Sequence, residues 1–107
     1  MAFKVKYSEQ SSKDLADIIK YISYELCSPK AAENFYMGVL EKIELFSENP
    51  YIFPLYHDER PSAEGYRFAV VGHYLMFYVI DDDNSIVTIV RILYGRRNIA
   101  AIIETEN

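Results

Sequence analysis

The stretch from residue 66 to residue 97 constrains the fold more than any other part of this chain. It holds three runs rich in β-branched and aromatic residues (66–71, 74–80 and 86–94) separated by two short breaks. Such runs joined by tight turns read as an antiparallel meander. Gly72, the first of two loop residues, suits a type II′ turn, whose twist matches its flanking strands. Residues 81–85, Asp-Asp-Asp-Asn-Ser, carry side chains that bond their own backbone and tolerate left-handed conformations. The middle run is apolar on both alternating faces, so it is predicted to be the central and most buried strand. Each outer run carries an arginine, Arg67 in the first and Arg91 in the last. An arginine in an apolar strand costs free energy unless it is paired or opens onto a cleft, which makes both candidate functional residues.

Upstream, residues 3–7 alternate Phe3, Val5 and Tyr7 with Lys4 and Lys6, as a half-exposed strand does, and the lysines suit a sheet edge. Ser11 or Ser12 is the expected N-cap of a first helix. Leu15, Ile18, Ile19, Ile22 and Leu26 then recur at helical spacing, leaving Lys13, Asp14, Asp17 and Lys20 outward, and the helix should end near Cys27. Ser28 and Pro29 restart a helix, proline being harmless at the first helical position. Ala32, Phe35, Tyr36, Val39, Leu40, Ile43 and Phe46 mark its core face, and Asn49-Pro50 stops it. A connection this short implies an antiparallel helical hairpin whose apolar stripes are core. Residues 51–65 are irregular, with Pro54 and Pro61 fixing turns; the aromatic first half should pack down and the charged second half lie exposed. Residues 98–107 fit a short helix, an extra strand or a segment ordered by a partner.

The expected fold is therefore α+β, in the order β-α-α-β-β-β, forming one domain over residues 1–107. The helical hairpin packs on one face of a twisted, mainly antiparallel sheet. The first strand joins the edge of the meander, and the opposite sheet face is left available for function.

Composition narrows the chemistry. Cys27 is the one cysteine, so no intrachain disulfide forms and a reducing cytoplasm fits. With two scattered histidines it is a poor basis for zinc, and neither a metal nor another cofactor is expected. No apolar run approaches the roughly 20 residues that span a membrane, and the first residues lack a signal-type segment. The net charge of −5 counts against broad nonspecific binding to nucleic acid. All lysines lie between Lys4 and Lys42 and all arginines between Arg60 and Arg97, so the residue of planar, bidentate recognition is confined to the C-terminal half. Arg96 and Arg97 follow Gly95 just beyond a strand end, where loops present groups to partners.

Three groups of residues resemble the RelE/ParE superfamily of bacterial toxins from type II toxin–antitoxin systems, in particular its ParE branch. The first is Asp17-Ile18-Ile19-Lys20-Tyr21-Ile22 followed by Ala31-Ala32-Glu33-Asn34-Phe35, similar to the family's helical hairpin. The second, Phe46-Ser47-Glu48-Asn49-Pro50, resembles its helix exit. The third joins Tyr66-Arg67-Phe68, Val71-Gly72-His73-Tyr74, Phe77-Tyr78 and Val90-Arg91-Ile92-Leu93-Tyr94-Gly95-Arg96-Arg97, similar to its C-terminal signature. The resemblance implies the same element order and a toxin neutralised by a cognate antitoxin.

RelE-like members are ribosome-dependent endoribonucleases that cleave mRNA in the A site, whereas ParE-like members inhibit DNA gyrase. RNA cleavage needs a group to activate the 2′-hydroxyl, cations for the phosphorane and a donor for the leaving oxygen. Here the segment before the second strand is His57-Asp58-Glu59-Arg60, acidic where active nucleases are often lysine-rich. Asn98-Ile99-Ala100-Ala101 follows the arginine pair without a Tyr or His. His57 or Glu59 remains as a base, but no catalytic residue is assigned, and a gyrase-binding toxin is expected. An mRNA endoribonuclease and a non-toxic relic that only binds its partner are the alternatives. The expected target-binding residues are Arg67, Arg91, Tyr94, Arg96 and Arg97, with Arg67 and Arg91 converging on one side of the sheet. Phe3, Val5 and Tyr7 offer an edge to the antitoxin. A homodimer is compatible with these expectations.

Overall fold

The computed structural model describes residues 2–56 and 65–95. In chain order these form β1 (Lys4–Tyr7), α1 (Glu9–Lys20), a π-helical turn (Tyr21–Glu25), α2 (Pro29–Glu48), β2 (Arg67–Val71), β3 (Tyr74–Asp81) and β4 (Ile86–Tyr94). The sheet order is β1-β4-β3-β2, with β1 parallel to β4 and the other pairs antiparallel. This is the α+β arrangement expected from the sequence. Because β1 joins beside β4, β3 and β4 are both interior. Met76, Phe77 and Tyr78 of β3 are wholly buried. Gly72 has φ +58° and His73 does not share a positive φ, as a type II′ turn requires. In the other turn the Asp81 carboxylate accepts the backbone and side-chain N–H groups of Asn84, which hold its pKa below the usual range.

Two helices cover one sheet face. Ile22, Phe35 and Val39 are buried there, and Leu15 and Ile43 are half-buried against the same core. Phe46 stacks on Tyr78 at 4.3 Å between ring centres, and the Tyr78 hydroxyl donates to the Pro50 carbonyl at 2.7 Å. Burial pushes the Tyr78 phenol up to about 12. Ser28 caps α2 through the Ala31 N–H, Pro29 opens it, and Asn49 ends it in extended conformation.

The structure corrects the sequence reading at several points. Tyr36 and Leu40, expected on the core face of α2, are 41% and 39% exposed, and Tyr51 and Ile52, expected to pack down, are each 50% exposed. The N-cap of α1 is Ser8, not Ser11 or Ser12: its hydroxyl accepts the Ser11 N–H, while Ser11 is itself fully buried. Asp14 is buried instead of outward. Leu26 leaves the apolar stripe and is 55% exposed; the π-helical turn holds an extra residue per turn and rotates the residues after it off the α-helical register. The sheet face opposite the helices is not open. Phe77 and Leu93 are buried on it under Tyr56, Tyr66 and Phe68.

Candidate functional site

The strand arginines sit where the sheet is irregular. Tyr78 pairs with Ile89 but Phe77 pairs with Arg91, so β4 carries one extra residue, Val90, in a bulge. At the same level β1 ends, and the β4 edge loses its strand partner. The start of α1 takes its place. Ser8, Ser11 and Asp14, three residues apart, fall on one helical face. The Ser8 N–H donates to the Ile89 carbonyl and the Ser8 hydroxyl to that of Val90. The Ser11 hydroxyl reaches the Ile89 carbonyl at 2.8 Å, and Asp14 accepts the Ile92 N–H at 3.0 Å.

Asp14 also holds Arg91 in a two-point contact, Nε at 2.8 Å and Nη2 at 3.1 Å, with only 11% and 10% of the two side chains exposed. Such charge-assisted forks are strong and fix geometry. Arg67 is held differently. Its Nη1 donates to the Phe53 carbonyl at 2.7 Å, and its guanidinium lies 4.9 Å from the centre of the Tyr51 ring. The Tyr51 hydroxyl in turn donates to Asp82, which is the chief cause of its raised pKa.

The two arginines do not converge. Arg67 lies opposite Tyr78, whose ring belongs to the helix-side core, whereas Arg91 lies opposite Phe77 on the other face. Their strands flank β3 and are about 10 Å apart. Arg96, Arg97, His57, Glu59 and residues 98–107 lie outside the described residues. Phe3, Val5 and Tyr7 direct their side chains against the helix-side core, and burial raises the Tyr7 pKa. What β1 presents outward is backbone. Lys4 and Ser8 bond β4, so by alternation Val5 and Tyr7 turn their N–H and carbonyl groups to the open edge, while the Phe3 N–H is taken by Ser47.

Among the described residues, grooves flank the helices on two sides. One, of about 350 Å³, is lined by Asp14, Asp17, Ile18, Tyr21, Tyr74, Ile92, Leu93 and Tyr94. Tyr94 stands edge-on to Tyr74 at 5.6 Å, and Tyr74 edge-on to Phe35 at 5.2 Å. Burial, then the neighbouring Tyr21 and Tyr94 phenols, raise the Tyr74 pKa. The other groove, of about 460 Å³, lies between α2 and the β2–β3 turn. There Gly38 permits close approach, since a Cβ would sit 3.0 Å from a Val71 methyl.

Sequence reasoning missed Asp14, Tyr21 and Tyr74. The Ser8, Ser11, Asp14 spacing was a usable signal for the first, because a buried polar stripe must meet backbone somewhere. Nothing in the sequence announces the π-helical turn that begins at Tyr21. Among the described residues no three His, Cys, Asp or Glu side chains gather as a metal site, and no helix is long and apolar enough to cross a membrane.

Comparison with known proteins gives the same fold. The family described as ParE toxin of type II toxin-antitoxin system, parDE, matches residues 5–99. No curated protein matches the chain. The chromosomal ParDE toxin–antitoxin system from P. aeruginosa superposes with a TM-score of 0.68 at 16% identity, over 87% of this chain and 96% of that one. The RelBE2 toxin–antitoxin complex from Mycobacterium tuberculosis gives 0.56 at 22%, over 88% and 99%. The archaeal RelE–RelB complex from Pyrococcus horikoshii gives 0.59 at 20%, over 91% and 99%.

Proposed function

The chain belongs to the ParE toxin family of type II toxin–antitoxin systems, and from that premise we propose that it acts by binding and inhibiting DNA gyrase. The observation that carries this choice over RNA cleavage is the Asp14–Arg91 fork. A phosphorane needs a cation whose charge is free to meet it. The Arg91 charge is met by a carboxylate, and Arg67 is turned onto the Phe53 carbonyl and the Tyr51 ring. On this reading Arg67 and Arg91 hold β2 and β4 in place. The target contact is made beyond them by Tyr94, 38% exposed at the end of β4, with Arg96 and Arg97, which follow it in sequence.

A cognate antitoxin keeps the protein inactive by adding a strand at the β1 edge, where the Val5 and Tyr7 backbone groups face outward. Three of the related solved structures are described as toxin–antitoxin systems or complexes, which supports such a partner. A cytoplasmic location goes with this target. Induced expression with two parallel readouts tests the proposal. Reporter-plasmid supercoiling should fall before any cleavage appears in total mRNA. Early mRNA cleavage with normal supercoiling would replace gyrase by the ribosome.

A further inference from the structure

Three tyrosines from three elements close on the smaller groove: Tyr21 from the π-helical turn, Tyr74 from β3 and Tyr94 from β4. Tyr21 is 49% exposed and Tyr94 38%, so both keep ring surface toward solvent. Tyr74 and Tyr94 are fixed edge-to-face. Asp17 stands exposed at the rim, and among the described residues its carboxylate has no hydrogen bond or ion pair. Asp14 beneath is already committed to Arg91 and the Ile92 N–H. Ile18 and Leu93 supply apolar wall.

This lining selects by charge. Ring faces beside a carboxylate attract an organic cation and repel an anion. A purely apolar guest would desolvate three hydroxyls and a carboxylate without return. Long basic side chains suit the mixture, because their methylene stems cover apolar surface while the head stays polar. The excess of negative charge on this chain draws a basic segment toward it.

We propose that the groove is a receptor for an arginine or lysine side chain carried by a partner protein. The stem lies along Ile18 and Leu93, and the head sits between the tyrosine rings and the Asp17 carboxylate. The site does not depend on which macromolecule the protein inhibits.

Titration of the full chain, followed by backbone amide NMR, tests this with four probes: N-acetyl-arginine methylamide, its lysine counterpart, and the uncharged citrulline and norleucine analogues. The two cationic probes should give saturable shifts confined to the neighbourhood of Asp17, Tyr21, Tyr74 and Tyr94. Asp17→Asn and Tyr21→Ala, both at exposed positions, should each weaken that binding about fivefold while leaving the rest of the spectrum in place. Equal saturable binding of citrulline or norleucine would overturn the proposal, since the groove would then be an uncharged slot. So would an absence of shifts, or shifts spread over the acidic surface and indifferent to Asp17→Asn.

Discussion

Asp14 binds one residue from each of two neighbouring problems: the Arg91 guanidinium and the Ile92 N–H that the β4 edge leaves unpaired. Asp14→Ala should therefore destabilise the protein by about 3–5 kcal/mol, because it strands a nearly buried charge. Replacing both partners together, Asp14→Leu with Arg91→Met, should cost clearly less than either single change in urea unfolding. Additive losses would mean the fork is not the stabilising unit. Tyr78 gives a second test, in pH. Its phenol ionises at about 12 in the folded protein against 10.0 as the ordinary value. Stability from this group is complete below pH 10 and falls as pH rises toward 12, where the unfolded chain releases a proton that the folded one keeps. The loss should approach about 2–3 kcal/mol. Tyr78→Phe should flatten that decline in denaturation measured at pH 9 and pH 11. At this scale the sequence was half legible. An arginine in an apolar strand had to be paired or open to a cleft, but its partner lay 77 positions away in a helix where aspartate ordinarily faces water.

At the scale of elements, the first helix does work that a fifth strand would otherwise do. Ser8, Ser11 and Asp14 satisfy the β4 edge past the end of β1, and the Val90 bulge bends the strand to meet them. Ser11→Ala should leave the Ile89 carbonyl without its side-chain donor, for about 1–2 kcal/mol. Together with Asp14→Ala it should speed amide exchange at Ile92 while the β2–β3 ladder stays protected; uniform acceleration would show that the edge is not a separate unit. The helices themselves were readable from apolar spacing and from Ser28, Pro29 and Asn49. The N-cap was missed because three serines compete at 8, 11 and 12, and burial decides among them. The departure of Leu26 could not be foreseen, since α and π turns differ in hydrogen-bond register and not in residue type.

For the whole molecule, the element order and the buried middle strand followed from hydrophobic period, the signal that sequence carries best. The surface did not follow from it. Which face is covered depends on distant segments such as Tyr56 and Tyr66 folding over Phe77, and which arginines stay free depends on carboxylates brought in by topology. Pairing of the strand arginines shifts the expected contact surface toward Tyr94, Arg96 and Arg97. Gyrase inhibition is best tested by the supercoiling of relaxed plasmid by purified DNA gyrase, with ATP, across a titration of this protein. Dose-dependent inhibition is expected, weakened at least about tenfold by Arg96→Ala with Arg97→Ala, a loss of the size expected for hot-spot arginines. Full supercoiling at every protein concentration would contradict a gyrase-binding toxin.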